Sequence, residues 1–167
     1  GLLNRRSIER ILKYELNELI DKYNDTNLII MLGDIDNFKQ INDTYGHSVG
    51  DEILKNIAKA LKDTFRENDY VCRWGGEEFL AILPNVKTND VKKIENRLNA
   101  RIAKVKLPNQ SVVTMTFGLV FCANGVSIDI NTVIDIADKK LYNGKKNGKD
   151  RIEYAILKKG YTHYDNA

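Results

Sequence analysis

The sequence of 167 residues carries only two cysteines, two prolines and one tryptophan. Cys72 and Cys122 each lie in an apolar, strand-like run with no metal-ligand spacing around them. A disulfide framework and a cysteine metal site are therefore not expected, and both thiols read as reduced core residues of a cytosolic protein. No internal repeat, low-complexity tract or linker divides the chain, and no segment resembles a signal peptide or a membrane span, so no membrane contact by this domain is expected. Neither sign of charge predominates. The 26 Lys and Arg against 23 Asp and Glu leave a net +3, too mild to call for a polyanionic partner. Lys139, Lys140, Lys145, Lys146, Lys149 and Arg151 do cluster, but such a run usually solvates a helix face. There is no Walker-type glycine loop to cradle phosphates. What remains is a chain 43% hydrophobic and 29% charged, suited to one globular domain with an adequate core.

Two segments carry chemistry. Arg73-Trp74-Gly75-Gly76-Glu77-Glu78-Phe79 sets two glycines and two acids at a sharp reversal between apolar runs, where an ordinary hairpin carries Asn-Gly or Asp-Gly. Adjacent carboxylates on a tight turn suggest a metal or phosphate site; a solubilising charged tip is the alternative reading. The second segment is the apolar run 28–32, which ends at Gly33-Asp34-Ile35-Asp36. A carboxylate at the carboxyl end of a buried strand lies at the lip of a sheet, where ligand sites in open sheets fall. Asp34 is thus expected to meet the hairpin acids.

Periodicity places the remaining elements. Residues 5–23 read as a helix through Ile8, Ile11, Leu12, Leu16, Leu19 and Ile20, and residues 50–65 as another with Ile53, Leu54, Ile57, Ala58 and Leu61 inward. A hairpin over 70–83 is expected to end at Pro84. Helix 89–104, strand 111–122, helix 131–146 and strand 151–156 complete the pattern. The fold class is α/β (α+β), a sandwich around a largely antiparallel sheet.

Together these segments resemble the GGDEF domain, the catalytic domain of diguanylate cyclases, in the variant with Glu at the third signature position (Gly75-Gly76-Glu77-Glu78-Phe79). Asp34, Asp36, Phe38, Lys39, Asn42, Asp43, Gly46, His47, Gly50 and Asp51 match the family's D-x-D-x-F-K-x-x-N-D-x-x-G-H-x-x-G-D. Gly1-Leu2-Leu3-Asn4-Arg5-Arg6 is similar to the end of its opening motif. The resemblance covers residues 1–154 and leaves 155–167 as a C-terminal tail. It implies a palm-like, ferredoxin-like sheet flanked by helices, and condensation of two GTP into cyclic di-GMP with release of two pyrophosphates.

The resemblance also implies roles. Asp34, the Ile35 carbonyl and Glu77 would hold Mg²⁺ or Mn²⁺, a hard cation suited to oxygen ligands. Asp34, Glu77 and Glu78 form the implied catalytic group, Glu78 as a base or a support to the ligands. Asn42 and Asp51 would read guanine, because a carboxylate accepts both protons of its N1–H and N2–H₂ edge and adenine offers no such pair. Leu54 would pack on the base, and His47 would brace its loop. Asn37, Phe38 and Lys39 would turn backbone N–H groups to the phosphates, with Lys145 and Lys149 as cations. Lys149 stands where Arg is usual and lacks the forked geometry, which implies weaker triphosphate binding. Gly144 stands where Ala is usual, costs roughly 1 kcal/mol of helix propensity and is expected to loosen that end. Arg66 and Asp69, in an R-x-x-D pattern, and Arg97 would form an inhibitory product site.

One domain would carry one GTP half-site, so catalysis implies a homodimer. An upstream regulatory domain is expected in the parent protein, and this domain in the cytoplasm whether or not the parent is membrane-anchored. Two rivals stand beside this reading: a catalytically silent receptor for GTP or cyclic di-GMP, which normally loses metal or guanine residues, and a palm-like nucleic-acid binder, which the mild charge disfavours.

Overall fold

Alternation along one central strand sorts the core into two layers. In the computed structural model, which describes residues 2–10, 27–126 and 129–159, the elements in chain order are β1 (Leu3–Asn4), α1 (Arg5–Arg10), β2 (Asn27–Ile35), α2 (Phe38–Tyr45), α3 (His47–Thr64), β3 (Tyr70–Arg73), β4 (Glu78–Val86), α4 (Asp90–Ile102), β5 (Met115–Cys122), α5 (Ile130–Lys146) and β6 (Ile152–Leu157). Ile29, Met31 and Ile35 of β2 face a layer with Ile53, Leu54, Ile57 and Leu61 of α3 and Ile94, Leu98 and Ile102 of α4. Leu28, Ile30 and Leu32 face Val133, Ile136, Ala137 and Leu141 of α5, with Ile8 of α1. A strand buried on both faces needs the continuous apolar run that 28–32 supplies.

The sheet has six strands in the order β1-β3-β4-β2-β5-β6. β3, β4, β2 and β5 pair antiparallel, while β1 joins β3 and β6 joins β5 in parallel. This is the expected palm-like, ferredoxin-like and mostly antiparallel sheet with helices on both faces. Cys72 and Cys122 are buried and unbridged in the α5-side layer, and burial pushes the Cys122 thiol up to about 12. No helix among the described residues is long and apolar enough to cross a membrane.

Several boundaries differ from the sequence reading. The first helix is seen as Arg5–Arg10; the rest of the expected 5–23 segment lies outside the described residues. β4 runs through Pro84 to Val86 instead of ending there. The four-residue β3 pairs no further than Ile82, so Pro84 has no ladder neighbour on that side and its missing N–H costs nothing. The strand expected at 111–122 starts at Met115, and Val112 instead bridges back to Lys106. A helix expected from residue 50 begins at His47, preceded by α2, which the sequence reading treated as loop. His47 opens α3 on its exposed side rather than bracing a loop.

Candidate active site at the strand ends

Asp34 stands next to last in β2, opposite Glu78 of β4 and Thr116 of β5. Side chains paired across a ladder share a face, and even-numbered β2 residues face α5, so these three project toward the last turn of that helix. Lys145 comes down from that turn. Its Nζ donates to Asp34 Oδ1 and, at 2.8 Å, to Asp36 Oδ1, with the carbonyl oxygens of Asp34 and Ile35 each 3.4 Å away. Burial pushes the Asp34 carboxyl above its ordinary range; Lys145 opposes this, and the negative charges of Glu77 and Asp36 add to it. The Glu77 carbonyl accepts the Ile35 N–H at 3.3 Å. Asp34, Ile35, Glu77 and Glu78 are therefore brought to one strand end, as the sequence reading required.

Neither glycine of the turn between β3 and β4 is there for left-handed backbone, since neither Gly75 nor Gly76 has positive φ, and only Gly75 is short of room. A Cβ on Gly75 would sit 2.6 Å from Glu78 Oε2. Arg73 holds the turn: its Nε donates to the carbonyls of Gly75 and Gly76 at 3.2 and 2.9 Å, and its Nη2 to Gly76 at 2.6 Å. Sequence reasoning missed this clamp, although a cation two residues ahead of a glycine pair is a legible signal for it.

Asp36 was also missed as a support. It is 3% exposed and accepts from Thr114 Oγ1 at 2.8 Å, Thr116 Oγ1 at 2.7 Å, Lys145 Nζ at 2.8 Å and the Asp150 N–H at 3.0 Å. Burial raises its carboxyl, but these four donors outweigh it and hold it below the ordinary value. Asp150 belongs to a run, Gly148, Lys149 and Asp150, in which all three residues have positive φ of 114°, 64° and 47°. The Lys149 N–H caps α5 at the Gly144 carbonyl, 2.9 Å away, and Lys149 Nζ reaches Asn37 Oδ1. Asn37 itself is left-handed, with φ of 56°, and precedes α2.

On the opposite face, Asp51 and Leu54 line a cavity of about 470 Å³ with Leu2, Arg73, Gly75 and Phe79. The exposed Asp51 and the buried Leu54 thus sit beside the glycine turn. Asn42 lies next to them without lining that cavity: its Oδ1 rests over Gly50, where a Cβ would approach to 1.9 Å. Phe38 is half-buried against the core and Lys39 is exposed. A second cavity, about 420 Å³, opens over Asp34, Glu78 and Lys145 against Asp138 and Tyr142 of α5.

Arg66, Asp69 and Arg97 also come together, away from the strand ends. Asp69 Oδ2 accepts the Arg66 N–H at 2.7 Å. Burial raises the Asp69 carboxyl against the pull of that N–H and of the Arg66 and Arg97 charges. Arg66 Nη2 also lies 3.7 Å from Asp90 Oδ2, a neighbour the sequence reading did not include.

Gly144 has a different role from the one expected. A Cβ there would lie 2.6 Å from Thr116 Cγ2, on a buried side chain whose hydroxyl is fixed by Asp36. The glycine lets α5 close onto the site instead of loosening it. Gly144→Ala, despite about 1 kcal/mol of better helix propensity, is expected to lower the melting temperature through overpacking. Adding Thr116→Ser, which removes the methyl and keeps the hydroxyl, is expected to restore it; a stabilised single variant would contradict this packing.

Among the described residues, no three His, Cys, Asp or Glu side chains converge to hold a metal. The donors that do converge are oxygens: the Asp34 carboxylate and the Asp34 and Ile35 carbonyls, already in contact with an ammonium cation. That set suits a hard divalent ion that completes its shell with water and phosphate oxygens.

Comparison with known proteins agrees with this geometry. The family described as diguanylate cyclase, GGDEF domain, matches residues 1–151. The diguanylate cyclase DosC of Escherichia coli is 36% identical over 154 residues, which cover 91% of this chain and 33% of that protein. The chain thus spans about a third of the length of such curated relatives. Among solved structures, the GGDEF domain of DgcB from Caulobacter crescentus in complex with c-di-GMP superposes with a TM-score of 0.79 at 26% identity, covering 92% of this chain and 91% of that one. The active GGEEF domain of a diguanylate cyclase from Vibrio cholerae gives 0.80 at 27% identity, covering 96% and 100%. With its two long motifs folded onto one strand end and the family matched over nearly its whole length, this chain belongs to the GGDEF family of diguanylate cyclases.

Proposed function

We propose that this chain condenses two GTP into cyclic di-GMP. The observation that carries the reading is the convergence of Asp34, the Ile35 carbonyl and the Glu77–Glu78 pair on one strand end, with the cavity lined by Asp51 and Leu54 on the other face of the sheet at the same glycine turn. In each of two equivalent steps, a ribose 3′-oxygen bonds to the α-phosphorus of the facing GTP, the bond from that phosphorus to the β-phosphate oxygen breaks, and pyrophosphate leaves. Held by Asp34, the Ile35 carbonyl and Glu77, a bound Mg²⁺ or Mn²⁺ would neutralise triphosphate charge and favour the attacking alkoxide.

The chain's own groups do the positioning. Asp51, with Asn42 beside it, reads the guanine edge, and Leu54 packs on its face. The opening turn of α2 offers backbone N–H groups from Phe38 and Lys39, where a helix start favours phosphate. Lys145 and Lys149 supply charge from the other side, and Glu78 takes the hydroxyl proton. Two substrates must face each other, so the active species is a homodimer, and an upstream domain in the parent protein sets that encounter. Cyclic di-GMP held by Arg66, Asp69 and Arg97 provides feedback; the three already form one charged cluster.

The test is incubation of concentrated protein with GTP and Mg²⁺, followed by chromatography of the nucleotides. Cyclic di-GMP should form from GTP and nothing from ATP, with a rate per subunit that rises with protein concentration. GTP bound tightly without turnover at any concentration would instead identify a silent receptor.

A further inference from the structure

We propose that Lys145 is the resident cation of the divalent-metal site: its ammonium occupies the site's oxygens when no metal is bound, and metal entry releases it onto the triphosphate. This rests on the metal-site reading above. Four oxygens lie within hydrogen-bond range of one Nζ, and two of them, Asp34 Oδ1 and the Ile35 carbonyl, are the oxygens that reading assigns to the ion. Lysine is a compact, mobile point charge on a long stem, so it can both fill this position and leave it.

The seat has a clear electrostatic reason. Asp34 and Asp36 share the strand end with Glu77 close by, and the Asp36 side chain is 1% exposed. Without a cation, these like charges would face each other in a poorly hydrated place, an arrangement that is strongly unfavourable. Lys145 offsets part of that penalty in the metal-free domain. Yet a divalent ion that took the same oxygens as ligands could not share them with an ammonium group, so the two would be mutually exclusive.

Two consequences follow. Metal alone must displace an internal competitor and therefore binds weakly. Metal that has entered frees a positive charge beside the phosphate-binding turn of α2, so metal and triphosphate each strengthen the other's binding by the same factor.

The test compares the parent chain with Lys145→Met, measuring Mn²⁺ affinity by electron paramagnetic resonance of free Mn²⁺, without nucleotide and with a non-hydrolysable GTP analogue. Lys139→Met, which removes the same charge from the wall of the same cavity without touching the oxygens, serves as control, and Asp34→Asn as the site-less reference. Lys145→Met should bind Mn²⁺ alone about tenfold more tightly than parent or control and lose most of the coupling to the analogue. Should Lys145→Met unfold, Lys145→Gln is read the same way, since it too lacks the charge. An unchanged Mn²⁺ affinity, or an equal gain in Lys139→Met, overturns the resident-cation role while leaving the metal site intact. Equal Mn²⁺ binding by parent and Asp34→Asn overturns the metal-site reading itself.

Discussion

Asp34→Asn is expected to lower cyclic di-GMP formation by roughly a thousandfold or more while leaving the metal-free fold at least as stable as the parent. The loss follows from its place: the Asp34 carboxylate faces the cation position at the strand end, and charge stabilisation in a desolvated site contributes that much to phosphoryl chemistry. The stability half comes from the sign of the perturbation. Burial holds the Asp34 carboxyl above its ordinary range even with Lys145 attached, so at neutral pH its charge opposes folding, and an amide of the same shape relieves this. Chromatographic turnover and calorimetric melting without metal check both halves. Retained activity, or melting well below the parent, would contradict the assignment.

Asp36→Ala should act in the opposite sense, as a loss of fold rather than of chemistry alone. Removing this carboxylate strands two threonine hydroxyls and a backbone N–H that it now satisfies, and takes one of two carboxylates from the Lys145 ammonium. Leaving a buried donor without its acceptor costs about 1–3 kcal/mol each, together a fall in melting temperature of roughly 10 °C for a domain of this size. The pH dependence gives an independent reading. The folded Asp36 carboxyl is held below its ordinary value, so its contribution is complete above the unfolded value, near ~3.9, and disappears as acidity carries the pH down through the folded value. The melting gap between parent and Asp36→Ala should therefore be constant near neutrality and narrow below about pH 4. A gap that stays constant into strong acid would mean the carboxylate's charge contributes nothing.

The two-layer core was legible because its signals are local. The unbroken apolar run of 28–32 has the length of a buried strand, and the spacing of Ile94, Leu98 and Ile102 matches one helix face. The carboxylates at 34, 77 and 78 were legible from motif and position together. What escaped depended on partners distant in sequence. That β4 could continue through Pro84 required knowing that β3 stops short beside it. Asp36 lies 78 and 80 residues from the threonines that bind it, and no local pattern links them. Lys145 was read as a phosphate ligand from the family motif, but its seat on Asp34 depends on how far α5 descends onto the sheet. Gly144 was misjudged for the same reason: helix propensity is a property of one element, and the decisive atom, Thr116 Cγ2, belongs to another.

The three residues after α5 repeat that lesson in torsional terms. Gly148, Lys149 and Asp150 all keep left-handed dihedrals, and for the two that carry side chains this shape is uphill by about 1–3 kcal/mol each. Nothing in their own chemistry would keep a free peptide wound this way. The coil stays cocked because its far end is hooked to a buried acid and its near end to a helix terminus. Lys149 is therefore aimed by a spring whose catch lies in the core, so loosening the catch moves the tip even when every residue that meets the nucleotide is untouched.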